Sequence, residues 1–147
     1  MEKRQFIKYL DTILNPYGFV KKANYWYLNN KELIKVINVQ KSDFGNMYYL
    51  NYGFIVSKLA EINPDMHIYN RLGSLDTREN IRIMDLFSFE SKIEDNQRQS
   101  EIKFYIENVI IKELQSINTE DDLVKMLKGR PHLNDIPLVV KKHFNLE

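Results

Sequence analysis

The chain has 147 residues, of which 44% are hydrophobic, 12% aromatic and 28% charged. That length suits one domain, and with only five Gly and four Pro the composition excludes disordered, collagen-like and linker chains. Lys and Arg number 21 against 20 Asp and Glu, so bulk charge gives no support for gripping a nucleic-acid backbone, and the lack of cysteine excludes thiol nucleophiles and thiolate metal sites.

Phe6, Leu10, Ile13 and Leu14 recur at three- and four-residue spacing, which predicts an amphipathic helix over 3–14. Asn15-Pro16 ends it, because the residue before proline is pushed out of the helical region. Met1 to Phe6 leads into this helix rather than into an apolar leader. No apolar run approaches the roughly 20 residues that span a bilayer. The expectation is a cytoplasmic protein. After the Tyr17-Gly18-Phe19 turn, residues 25–29 are aromatic and strand-like, and Asn29-Asn30-Lys31 turns them.

Residues 33–41 and 47–57 form the clearest strand pair, joined by Ser42-Asp43-Phe44-Gly45-Asn46. Pairing Lys41 with Asn46 gathers Leu33, Ile37, Val39, Tyr48, Leu50, Tyr52, Phe54 and Val56 on one face. Asn38, Gln40, Tyr49, Asn51 and Gly53 then share the other with Ile34, Val36 and Ile55. A one-residue slip would bury amides against hydrocarbon, at on the order of 1–3 kcal/mol for each left unpaired. The segregated register is therefore expected. Residues 66–72 alternate again, with Met66, Ile68 and Leu72 opposite His67, Tyr69 and Arg71. Residues 81–89 read as a last strand, with a buried helical turn as the alternative.

From about residue 97 the period becomes helical. Ile102, Ile106, Val109, Ile110 and Ile117 form the stripe of a long helix. Thr119 caps the next one, with Glu120, Asp121 and Asp122 in its first turn, Leu123 and Leu127 inward, and Gly129 at a left-handed C-terminal position. A final helix starts near Asp135 and runs through Val140 and Phe144, with Pro137 in its first turn. Strands followed by helices indicate α+β: an antiparallel sheet of about four or five strands, one helix before it, a long helix and two shorter ones after it.

Several of these segments together resemble the bacterial family known as domain of unknown function 4304. The resemblance is carried by Tyr17-Gly18-Phe19-Val20-Lys21-Lys22, Val36-Ile37-Asn38-Val39-Gln40-Lys41-Ser42, Tyr49-Leu50-Asn51-Tyr52-Gly53 and His67-Ile68-Tyr69-Asn70-Arg71-Leu72-Gly73, with the Thr119 to Leu127 helix at the end. Domains of this kind resemble immunity proteins encoded beside secreted bacterial toxins. The resemblance thus implies a toxin as a protein partner.

The polar sheet side is the leading candidate site. If neighbouring strands are sequential, Asn38, Gln40, Tyr49 and Asn51 come near His67, Tyr69 and Arg71, offering amides, phenols and a planar cation suited to carboxylate or phosphate. The alternative is an ordinary solvated sheet face. Trp26 joins the set as an expected interface anchor, since Trp, Tyr and Arg dominate interface energetics. His67 as a general base lacks a visible orienting partner. The spacing of His67, His132 and His143 is not that of a metal site, and no cofactor fingerprint appears among the scattered glycines.

A competing reading takes Asp76 or Asp85 with Glu90 and Lys92 as the acid and Glu-x-Lys pattern of a small Mg²⁺-dependent nuclease. Glu120-Asp121-Asp122 is explained by the helix dipole, and Lys141-Lys142-His143 by a solvated helix face. The expectation is a non-enzymatic binding protein of the immunity type, acting through Trp26, Asn38, Gln40, Tyr49, Asn51, His67, Tyr69 and Arg71. It needs no metal or cofactor and engages neither nucleic acid nor membrane. The nuclease, or a binder of a small anionic ligand on the same face, is the alternative.

Overall fold

The structure, a computed structural model, describes residues 1–62 and 66–147. Helix α1 (Lys3–Leu14) buries Phe6, Leu10, Ile13 and Leu14, the stripe its sequence spacing demands. A 3₁₀ turn over Asn15–Tyr17 follows, with Pro16 inside it. Gly18 closes that turn at φ 96°, a left-handed conformation that glycine adopts without strain. The chain then forms an antiparallel five-stranded meander, ordered β1 (Val20–Lys22), β2 (Tyr25–Asn29), β3 (Leu33–Lys41), β4 (Tyr48–Val56) and β5 (Ile68–Arg71).

The β3–β4 register runs from Leu33 opposite Val56 to Lys41 opposite Tyr48. Lys41 therefore pairs with Tyr48 and not with Asn46. The offset from the expected pairing is two residues, an even number, so every side chain keeps its face. Leu33, Ile37, Val39, Tyr48, Leu50, Tyr52, Phe54 and Val56 are all buried in one continuous apolar cluster with Phe6, Leu10, Leu86, Ile102 and Leu123 from the helices. The helices thus pack on this inward face. Val36 and Ile55, on the outward face, are buried but do not belong to that cluster.

The fifth strand is not where the sequence suggested. Residues 77–86 are helix α2 (Thr77–Leu86), and the edge place in the sheet goes to Val20–Lys22. Asp76 caps α2 by accepting a hydrogen bond from the Glu79 N–H at 2.9 Å. Ile83, Leu86 and Phe87, at three- and four-residue spacing, face the core, whereas Ile81 and Met84 are exposed. Strand alternation would have required Ile81, Ile83 and Asp85 to share an environment. Only residues just past the helix act as sheet: Met47 bridges Ser88, and Tyr48 N–H bonds Phe87 O at 3.0 Å.

The long helix runs through α3 (Asp95–Tyr105), a π turn at Ile106–Ile111 and α4 (Lys112–Ser116). The π turn adds a residue to the helical repeat, which lets Ile110 and Ile111 both face the core before Leu114 resumes the stripe. Ile117 lies past the helix end in extended backbone. Helix α5 (Glu120–Lys128) has the expected Thr119 cap, reciprocated by Asp122 in a capping box. Gly129 is right-handed at φ −82°, so it is not the left-handed terminus its position suggested. Helix α6 spans Leu138–His143, with Pro137 as its N-cap rather than in its first turn. Among the described residues, no helix is long and apolar enough to cross a membrane.

Candidate functional site

Antiparallel pairing lines up one residue from each strand across the outward face: Lys22, Tyr25, Asn38, Asn51 and Arg71. The next row of the same face carries Val20, Tyr27, Val36, Gly53 and Tyr69. Gln40 pairs with Tyr49 at the far end. Residues distant in sequence are therefore neighbours because the meander is sequential, and each turn keeps the side-chain parity.

Within this array Asn51 is the hub. Its Nδ2 donates to Asn38 Oδ1 at 3.1 Å and to Gln40 Oε1 at 2.9 Å. Its Oδ1 accepts from Arg71 Nε at 3.1 Å. Arg71 Nη2 donates to Gln40 Oε1 at 2.9 Å, and Arg71 Cζ lies 3.9 Å from the centre of the Tyr49 ring. Asn38 Nδ2 is anchored on the Val39 carbonyl at 3.3 Å. Asn51 is only 6% exposed, so its amide satisfies all its bonds inside the protein, while Arg71 stays exposed. The guanidinium is thus oriented by two amides and a ring face, an arrangement that limits its rotamers.

A shallow, open depression of about 310 Å³ lies over this network, bounded also by Tyr25, Met66 and Tyr69. Tyr25 is 37% and Tyr69 47% exposed, and the Tyr25 ring stacks on that of Tyr27 with centroids 5.8 Å apart. A second depression of about 540 Å³ lies at the β1 edge, touching Val20, Lys22 and Tyr27.

The structure therefore brings together Asn38, Gln40, Tyr49, Asn51, Tyr69 and Arg71, and it separates Trp26 and His67 from them. Trp26 points inward, is fully buried and donates its indole N–H to Asp11 Oδ1 at 3.0 Å. A side chain closed inside the core cannot anchor a partner. His67 shares the parity of Tyr69 but is 1% exposed, and its Nδ1 accepts the Val56 N–H at 2.9 Å. Its role is to tie the segment before β5 to the end of β4. Tyr25 is the exposed aromatic residue that the sequence reading passed over. Its signal was present, since period two places it on the face opposite Trp26.

The Glu-x-Lys pattern does not lie on a strand as that reading requires. Glu90 and Lys92 are exposed in the bend after α2, where no strand carries them. Asp76 and Asp85 stand near opposite ends of α2. Among the described residues, no three His, Asp or Glu side chains gather as metal ligands would. Glu120 Oε1 is 2.8 Å from His143 Nε2. Asp122 accepts the N–H groups of Asn118 and Thr119, bonds that hold its carboxyl below the ordinary range.

A second polar network lies on the inward side. Tyr52 O–H donates to Glu113 at 2.8 Å, Asn70 Nδ2 donates to the same carboxylate at 3.2 Å, and Arg130 Nη2 donates to Asn70 Oδ1 at 3.2 Å. Burial, and then the Glu113 bond, push the Tyr52 phenol well above its ordinary pKa. These contacts fasten β4 and β5 to α4.

Sequence reasoning also missed Arg98, which is 2% exposed. Its Nη1 donates to the carbonyls of Asp85, Leu86 and Ser88 at 3.0, 2.6 and 3.0 Å, and its Nη2 to Ser91 O and Oγ, both at 3.0 Å. It closes the C-terminal end of α2, where orphan carbonyls and the helix dipole favour a cation. Desolvation lowers its pKa. The signal was its place four residues before Ile102 and eight before Ile106, which puts an arginine in line with the buried stripe.

The fold and site together define a two-layer α+β protein with helices on one sheet face and an ordered guanidinium on the other. The model of the family described as Domain of unknown function (DUF4304) matches residues 10–116, more than two thirds of the chain. The chain belongs to that family, and the match takes in all five strands and the site residues. No curated protein and no solved structure matches it.

Proposed function

We propose that this is a cytoplasmic binding protein of the immunity type, which neutralises a toxin by covering its working surface with the outward face of the sheet. The observation that carries the reading is the exposed Arg71, held by Asn51 and Gln40 and stacked on Tyr49, beside the open rings of Tyr25 and Tyr69. Ordered Arg and Tyr side chains lose little rotamer freedom on association, which is why they concentrate binding energy in interfaces. Among the described residues, nothing around this cluster supplies a nucleophile, a base and an acceptor for developing charge in one place, so the arrangement suits holding rather than converting a partner.

The test is to look beside this chain's gene for a secreted protein with a cytotoxic C-terminal domain and to co-express that domain with the chain in bacteria. The unaltered chain should restore growth. A Tyr69→Ala, Arg71→Ala double variant, with unchanged circular dichroism, should not. No rescue by the unaltered chain, or full rescue by the folded double variant, would refute the proposal.

A further inference from the structure

We infer that Arg71 is a seat for a carboxylate on the surface of a protein partner, so that the partner docks an acidic patch, through an Asp or Glu, onto the depression between Tyr25 and Tyr69. This deepens the reading of the outward face as a binding surface and rests on it.

The geometry of the guanidinium sets the chemistry. An arginine has a side edge, made by Nε–H and one Nη2–H, and an end edge, made by Nη1–H and the other Nη2–H. In this protein the side edge is used internally: Nε donates to Asn51 Oδ1 and Nη2 to Gln40 Oε1. Among the described residues nothing accepts from Nη1 or forms an ion pair with Arg71. The end edge is thus left as a two-donor fork, the shape that a carboxylate fills with two parallel bonds.

The surroundings give the sign of the partner. The outward-facing positions of all five strands include Lys22 and Arg71 but no Asp or Glu. The chain as a whole is nearly neutral, so this one-signed face is a local property of the sheet. A face of that kind attracts acidic surfaces and disfavours basic ones.

The shape favours a protein-borne carboxylate over a free metabolite. Pockets for small ligands enclose most of the molecule they bind. The depression over Arg71 is instead shallow and open, and the same face continues to the second depression at Val20 and Lys22. Exposed tyrosine rings flanking a cation on a broad, gently shaped surface suit a partner of similar breadth.

The probes are acetyl-Glu-Tyr-amide and its Gln counterpart, titrated into ¹⁵N-labelled protein while the Arg71 Nε–H and Asn51 side-chain resonances are followed. The Glu peptide should shift both and bind about tenfold or more tightly than the Gln peptide, because only the carboxylate accepts charge-assisted bonds at the fork. Inorganic phosphate should bind more weakly than the Glu peptide, lacking the part that meets the tyrosines. Arg71→Lys, which keeps the charge but loses the fork, should weaken the Glu peptide severalfold.

Equal binding of the two peptides, or no shift at Arg71, would overturn the inference whatever the variant does. Phosphate binding as tight as the Glu peptide would also overturn it and assign the seat to a small anion. If the chain neutralises its toxin while Arg71 ignores the Glu peptide, the carboxylate seat falls and the binding face stands. If the peptide titrates but no toxin is neutralised, the carboxylate seat stands and the toxin-neutralising reading falls.

Discussion

Replacing Arg98 by methionine keeps a long unbranched stem in the core and removes every donor at its end. The guanidinium serves the carbonyls of Asp85, Leu86, Ser88 and Ser91 and the Ser91 hydroxyl. Asp85 O and Ser88 O keep the Ser91 hydroxyl at 2.6 and 2.7 Å, so Leu86 O and Ser91 O are the acceptors left unpaired, each at a cost of about 1–3 kcal/mol. The loss should be about 3–5 kcal/mol, similar to removing one side of a buried charged network. Domains are commonly stable by only about 5–15 kcal/mol, so this is a large fraction of the whole. With a urea m-value of about 2 kcal/mol/M the unfolding midpoint should fall by roughly 2 M. Arg82 is the control. It pairs with Glu101 at 2.9 and 2.5 Å on a partly exposed surface, where such pairs are worth about 0.2–1 kcal/mol. Urea unfolding of Arg98→Met and Arg82→Met, followed by tryptophan fluorescence from the buried Trp26, makes the comparison. Losses within about 1 kcal/mol of each other would refute the view that Arg98 alone completes the end of α2.

Two further outcomes follow from single contacts. A Cβ added at Gly53 would lie 1.9 Å from Ile68 O and 2.7 Å from Tyr69 Cα, backbone atoms that no rotamer change can move, so Gly53→Ala should separate β4 from β5. The loss should reach at least the ~1–3 kcal/mol of an overpacked core, and amide exchange at Tyr69 and Arg71 should rise; unchanged protection of those amides would count against the close approach. At alkaline pH, the Tyr52 phenol, raised above its ordinary 10.0 by burial and by Glu113, keeps its proton longer in the folded chain than in the unfolded one. Its contribution is complete below pH 10.0 and is lost as pH rises from there toward the folded value. Stability measured between pH 9 and 11 should fall less steeply in Tyr52→Phe than in the unaltered chain (~1 unit either side of the unfolded value); equal slopes would mean that this phenol is not the group responsible.

Much of the architecture was legible because local period and burial agree. Helix α1, the β3–β4 faces and the Thr119 cap each depend on residues a few positions apart, and the chemistry that forms them is written at that range. Residues 81–89 misled because Ile81, Ile83, Met84, Leu86 and Phe87 are dense enough to satisfy either period. The deciding signal was Asp76 with Glu79 three positions on, the pattern of a helix start. The edge strand Val20–Lys22 was invisible for the opposite reason. It is short and exposed at all three positions, so it has no buried side to leave a pattern.

What the sequence determined by itself was the segregation of side chains. Alternation at period two sends Leu50, Tyr52 and Phe54 one way and Tyr49, Asn51 and Gly53 the other, and an error of two residues in the pairing leaves that division untouched. Tertiary structure alone decided which of the outward groups are reachable and which are consumed. Asn51, Gln40 and Arg71 meet only when three strands lie side by side, His67 is drawn under the Val56 amide, and Arg98 becomes a core residue because the end of α2 arrives above it. Those outcomes depend on distances across the chain, where loop closure and packing choose the neighbours and no local pattern records them.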